Sequence, residues 1–293
     1  MKPKGTAILI GGGEDRGEEN KPEMKDKNRE FEQFDILKTL IPEKNHRSRR
    51  IEIITTASSL PDEMNKMYSA AFKKIGFREI GFMKIESKTE ARDPVFAERI
   101  SSAHAVLFTG GDQFTLAALI GGTDVMHAII QRYTDDKDFI VAGTSAGAMV
   151  MSKVMLYDGQ VSEALLKDDL RISSGLGILD GCIIDTHFVK RGRIARLVNA
   201  VIMNPMELGI GLGEDSSLII KNGDEAECGG SGSVFVIDGN EIGKTNITDV
   251  EEDEPIFVEN LKLHLLAKGC RFSLKERKML GPVRPRKKTK VET

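Results

Sequence analysis

Gly143-Thr144-Ser145-Ala146-Gly147 has the spacing G-x-S-x-G. That spacing suits a serine nucleophile on a sharp strand-to-helix turn, because only small neighbours let the turn close without a clash. Such a turn lifts the Ser145 hydroxyl above a sheet. It also aims the Ala146 backbone N–H toward the oxygen of an attacked carbonyl. A second donor of this kind is available in Gly110-Gly111-Asp112-Gln113, where Gly111 allows close backbone approach and its N–H can complete an oxyanion hole. The chemistry implied is acyl transfer.

A serine needs a base. The histidines are His46, His104, His127, His187 and His264. His46 falls in a charged loop, His104 opens a buried strand, His127 lies within a helix and His264 in an apolar stretch. His187 closes the apolar run Cys182-Ile183-Ile184-Asp185-Thr186-His187-Phe188, and strand ends carry catalytic groups in α/β sheets. The base in turn needs an orienting acid. Glu163, Asp185, Glu214 and Asp215 are all available, and spacing alone leaves that choice open. Beyond His187 come Lys190, Arg191, Arg193 and Arg196. Arg193 and Arg196 share a helical face, and arginines beside a nucleophile suit a carboxylate-bearing substrate. Gly11-Gly12-Gly13 lacks the spacing of a phosphate-binding loop.

The elements that must position these groups alternate in type. Apolar runs predict strands at Thr6–Ile10, Ile51–Thr55, Ile80–Ile85, Ala103–Phe108 and Phe139–Ala142. Helices are predicted near Phe31–Leu40, over Ser59–Phe77 with a stripe of Met64, Met67, Ala71 and Ile75, over Phe114–Ile120, and from Ala148. Strands alternating with helices imply a flavodoxin-like α/β fold, a mostly parallel sheet with helices on both faces. The glycine clusters then sit at the carboxyl ends of the strands, where ligands bind. Past Leu208, runs at Gly209–Leu212, Leu218–Lys221, Ser233–Ile237 and Ile256–Leu261, with turns at Asn222-Gly223 and Asp238-Gly239, predict an antiparallel extension of the same domain. One domain over residues 1–283 is expected, with a charged, solvated insertion over about 14–32 and a basic tail over 284–293.

Composition narrows the function classes. A 293-residue chain with net charge -3, no Trp and few aromatics has neither the basic field nor the stacking platform of a nucleic-acid binder. No segment approaches the roughly 20 apolar residues of a membrane helix. No signal peptide is evident at the N-terminus, and Cys182, Cys228 and Cys270 lack metal-ligand or disulfide-framework spacing. A cytoplasmic protein with reduced thiols and no metal or cofactor is expected.

Taken together, several ordered motifs resemble the cyanophycinase family of serine peptidases, which is related to the aspartyl dipeptidases. They are Leu9-Ile10-Gly11-Gly12-Gly13-Glu14-Asp15, Thr109-Gly110-Gly111-Asp112-Gln113, Gly143 to Ala148, Asp185-Thr186-His187-Phe188, Arg191-x-Arg193-x-x-Arg196-Leu197, and the closing stretch from Glu259 to Phe272. The resemblance implies a class I glutamine amidotransferase-like form of the fold and a Ser–His–Glu triad. Ser145 matches the nucleophile, His187 the base and Glu163 the acid, with Glu214 as the second candidate. Gln113, Asp185, Arg191, Arg193 and Arg196 match positions lining the family's substrate pocket, as does Thr186, where family members usually carry Gln. The implied substrate is cyanophycin, a poly-aspartate backbone with arginine on each β-carboxyl, cleaved to β-Asp-Arg dipeptides. A homodimer is implied by the resemblance only. The competing readings are a peptidase for other aspartyl or isoaspartyl peptides, motivated by Thr186, and a non-catalytic binding protein on the same fold.

Overall fold

The computed structural model describes residues 2–17, 31–41, 50–77, 79–159, 165–167 and 170–280. The expected basic tail, Glu163 and most of the charged 14–32 segment lie outside them. The strands of the first half are β1 (Thr6–Ile10), β2 (Arg50–Ile54), β3 (Glu79–Met83), β4 (Ala105–Phe108) and β5 (Ile140–Thr144). They pair in parallel in the order β1-β5-β4-β2-β3. The helices between them are α1 (Asp35–Lys38), α2 (Pro61–Lys74), α3 (Pro94–Ser102), α4 (Gln113–Ile120) and α5 (Asp124–Asp135). A four-residue α6 (Ala146–Met149) follows the nucleophile turn.

Side chains alternate across each strand, so a sheet covered on both faces sorts its apolar residues into two cores. That sorting is visible here. Ala7 and Leu9 of β1, Val106 and Phe108 of β4, and Val141 of β5 enter one core. Ile8, Ile10, Ala105, Leu107 and Ala142 enter the other, against Ile36 and Leu37 of α1 and Tyr68, Ala71 and Phe72 of α2. The buried stripe of α2 therefore runs through Tyr68, Ala71 and Phe72 rather than through Met67, which is half-buried.

The second half departs from the expected simple extension. β10 (Ser216–Lys221), β11 (Glu225–Gly230), β14 (Arg271–Ser273) and β15 (Lys278–Met279) do extend the main sheet, antiparallel, from the free edge of β1. Asn222 and Gly223 both take positive φ in the β10–β11 turn, as the turn reading requires. However, β8 (Cys182–Thr186), β9 (Leu208–Leu212), β12 (Val234–Asp238) and β13 (Lys262–Leu266) form a separate four-stranded sheet, and β8, which leads to His187, belongs to it. Ile183, Ile184, Ile210 and Val234 of this sheet, with Leu197 and Ala200 of α7 (Ile194–Met203), join the first core. β6 (Val154–Gly159) and β7 (Leu170–Ser174) make a two-stranded ribbon. The predicted strand at Ile256–Leu261 is instead irregular chain touching Leu166 and Thr245 by isolated bridges at Pro255 and Val258.

The two sheets converge at their carboxyl ends. The turns after β1, β4, β5, β8 and β9 meet there, and they carry Ser145, His187, Glu214 and the glycines around them. Among the described residues, no single helix is long and apolar enough to cross a membrane.

Candidate active site

The turn after β1 organises the centre. Three successive carbonyls of this turn accept backbone N–H groups from three other segments. Ile10 O accepts from Ser145 N at 3.0 Å, Gly11 O from His187 N at 3.0 Å, and Gly12 O from Asp215 N at 2.9 Å. Ser145, His187 and Asp215, far apart along the chain, are thereby hung from one short run of backbone. The side chains then meet: Ser145 Oγ lies 3.0 Å from His187 Nε2, and His187 Nδ1 lies 2.9 Å from Glu214 Oε1. Nδ1 can donate to the carboxylate while Nε2 accepts from the serine hydroxyl, which is the tautomer a general base requires.

Ser145 sits at φ 54, ψ -121, a conformation that L-residues avoid and that nucleophile turns impose. His187, at φ 50, is also held in the left-handed region. Two close approaches explain the small residues around them. A Cβ on Gly147 would stand 2.2 Å from Phe108 O, so the helix start can press onto β4 only with glycine there. Gly12 has φ +90, and a Cβ there would stand 2.5 Å from His187 Cε1 and 2.6 Å from Nε2. Gly12→Ala is therefore expected to push the imidazole off Ser145 and lower kcat about 100-fold, since a shift near 1 Å at a reacting group has that scale. Steady-state kinetics on the folded variant check this, and unchanged kcat would contradict it.

Glu214 takes the orienting position. The resemblance favoured Glu163, which lies outside the described residues. The place it was expected to fill, on His187 Nδ1, is held by Glu214, the second candidate. Burial pushes the Glu214 carboxyl up. The hydrogen bonds from His187 and Lys190, joined by the attraction of their charges, outweigh burial and hold it below the ordinary glutamate range. Lys190 Nζ reaches Glu214 at 3.1 Å.

The other expected site residues divide. Gly111 and Ser145 line a cavity of about 310 Å³ with Gly12, Gly13, Gly110, Thr144 and His187. Ala146 follows directly as the first residue of α6. Asp185, Thr186 and Arg196 do not line this cavity, and all three are buried. Asp185 is fully enclosed and accepts from Arg196 Nε at 2.9 Å, Arg196 Nη2 at 2.6 Å and Arg193 Nη1 at 2.9 Å. Arg193 Nη1 also donates to Thr186 O. These charges satisfy one another and brace the end of β8 against the start of α7. Breaking such a cluster leaves buried guanidinium groups unpaired. Asp185→Ala is expected to destabilise the fold by about 3–5 kcal/mol in denaturant unfolding. Gln113 donates to Leu156 O and Tyr157 O at 3.2 Å and so fastens β6. Arg191 is exposed.

The cavity also contains residues to which the sequence reading assigned no role: Glu14, Arg16, Ser58, Ser59 and Tyr68. Glu14 and Asp15 are 1% and 6% exposed, so the charged segment begins as site wall and not as solvated loop. Asp15 Oδ2 accepts from Phe34 N at 2.9 Å, which folds the start of this segment back onto the chain near α1. The guanidinium of Arg16 lies over the Tyr68 ring at 5.6 Å.

Comparison with known proteins places the chain in a family. The sequence matches peptidase family S51 over residues 21–228. A cyanophycinase of Synechococcus elongatus is 31% identical over 274 residues, covering 93% of this chain and 80% of that protein. A cyanophycinase of Trichormus variabilis is 32% identical over 280 residues, covering 96% of this chain and 89% of that protein. The crystal structure of a peptidase from an acI-B1 Actinobacterium aligns with a TM-score of 0.63 at 22% identity, covering 92% of this chain and 96% of that one, a likeness of fold. The fold is the class I glutamine amidotransferase-like α/β arrangement. A family match over most of the chain, joined to relatives above 30% identity along nearly all of it, places the chain in peptidase family S51 as a serine-type peptidase.

Proposed function

We propose that this chain hydrolyses the backbone of cyanophycin to β-Asp-Arg dipeptides through a Ser145–His187–Glu214 triad. The observation that carries the reading is the continuous hydrogen-bond chain from Ser145 Oγ through the His187 ring to Glu214, opening on a cavity. The names of the relatives supply the substrate.

In this reading Ser145 Oγ attacks the scissile carbonyl as His187 Nε2 takes its proton. Glu214 stabilises the imidazolium that forms and fixes its ring orientation. The Gly111 and Ala146 amides receive the developing oxyanion. His187 then protonates the leaving amine, and the acyl-enzyme is released by water activated by the same histidine. Cyanophycin presents carboxylates as well as guanidinium groups, and Arg16 on the cavity wall offers a positive charge to the former.

A second reading, a peptidase for other aspartyl or isoaspartyl peptides, is favoured by Thr186. Its buried side chain stands where the family usually carries Gln. The kcat/KM values for cyanophycin, Asp-X and isoAsp-X peptides separate the two. A preference of about 100-fold or more for cyanophycin supports the first, and preference for a free dipeptide overturns it in favour of the second.

A further inference from the structure

Glu14 is a buried acid that these catalytic steps leave unused. Its side chain lines the cavity beside Ser145 and His187, and the residue is 1% exposed. A carboxylate so removed from water is maintained only by strong partners. Its two oxygens have one each. Oε2 accepts from Thr144 Oγ1 at 2.8 Å, and Oε1 accepts from the Tyr68 hydroxyl at 2.7 Å. Burial pushes the Tyr68 phenol well above the ordinary tyrosine range, and the Glu14 charge adds to that push. Tyr68 therefore stays a donor throughout the working pH range.

Thr144 immediately precedes Ser145 and is 4% exposed. Ser145 occupies a strained conformation, which persists only where its surroundings over-determine it. Its own N–H is fixed to Ile10 O at 3.0 Å. The Thr144 side chain supplies a further restraint through Glu14. Tyr68 anchors that carboxylate to α2, whose Met64 and Tyr68 also line the cavity.

We propose that Glu14 is a positioning residue for the nucleophile: through the Thr144 hydroxyl it locks the turn so that Ser145 Oγ stays on His187 Nε2. This rests on Ser145 being the nucleophile. Ser145→Ala run alongside keeps the two claims distinguishable, since full activity in that variant would remove the nucleophile assignment itself.

The test compares Thr144→Val, Thr144→Ser, Glu14→Gln, Tyr68→Phe and the Thr144→Val/Glu14→Gln double variant. It reads kcat, KM and the rate of labelling by a fluorophosphonate, a probe that reacts with an activated serine and needs no peptide recognition. Thr144→Val and Glu14→Gln are each expected to slow kcat and labelling by about 10- to 100-fold, with KM within about twofold of wild type. Thr144→Ser keeps the hydroxyl and is expected to restore both rates to within about threefold of wild type. The double variant is expected to be no slower than the slower single one, because both changes break one bond. Should Thr144→Val fail to fold, the near-isosteric Glu14→Gln and Tyr68→Phe carry the same comparison. Labelling at the wild-type rate in the folded Glu14→Gln variant overturns the proposal. So does a rise in KM alone, which would make Glu14 a substrate contact, or effects that multiply in the double variant.

Discussion

Ser145→Ala is expected to lower kcat by about a million-fold, the scale found when the nucleophile of a serine triad is removed. The geometry explains why so little would remain. His187 Nε2 faces Ser145 Oγ at 3.0 Å, and no other hydroxyl is placed on that nitrogen among the described residues. The Gly111 and Ala146 amides would survive the substitution, so a residual rate of about 1,000- to 10,000-fold over uncatalysed hydrolysis is expected from the oxyanion site and binding. KM should change little, because the cavity wall is intact. A Ser145→Ala enzyme with wild-type kcat would remove the nucleophile from the account.

The second large effect is expected at Glu214. Glu214→Gln should lower kcat by about 10,000-fold, the cost of presenting an amide in place of the triad carboxylate. A glutamine N–H facing Nδ1 would favour the tautomer with its proton on Nε2, which cannot accept from Ser145. Glu163→Gln should retain near wild-type turnover, because Nδ1 is already occupied by Glu214 at 2.9 Å. The pair of variants decides between the two acids outright. A depressed carboxyl also has a stability signature. The ionised Glu214 contributes to stability above the ordinary glutamate pKa of about 4.3, and that contribution is lost as pH falls through its lower folded value. Tm measured against pH should therefore fall less steeply below about pH 4 in Glu214→Gln than in wild type.

The parts of this site that are local in sequence were legible before any coordinates. Gly143 to Gly147 states its own geometry, because a sharp turn admits only small residues. His187 stood out as a polar group ending an apolar strand. The parallel strands at β1, β2, β4 and β5 were legible for the same reason: strands buried on both faces read as apolar runs. β11 was not, because Glu-Ala-Glu-Cys-Gly-Gly has no such run and forms through pairing with β10 and β14. The acid was only half legible. Glu214 reaches His187 because the Gly12 carbonyl holds Asp215 N, a bond between distant segments that no spacing rule expresses. Asp185, Arg193 and Arg196 show the converse difficulty. An acid beside arginines reads the same whether the charges face a substrate or one another, and the enclosure of Asp185 among Arg193 and Arg196 is a feature that spacing does not express. Glu14 and Asp15 open a strongly charged run, which in isolation reads as solvated loop. Tyr68 and Thr144, 54 and 130 residues away, supply the partners that let Glu14 be buried.

The most direct test of the whole account is incubation of the purified protein with cyanophycin granules, with soluble products followed by mass spectrometry and Ser145→Ala as the control. The account predicts release of β-Asp-Arg by the wild type and none by the variant. Release by both proteins would contradict the assignment of Ser145, and no release by a wild type that still reacts with a fluorophosphonate at Ser145 would contradict cyanophycin as the substrate.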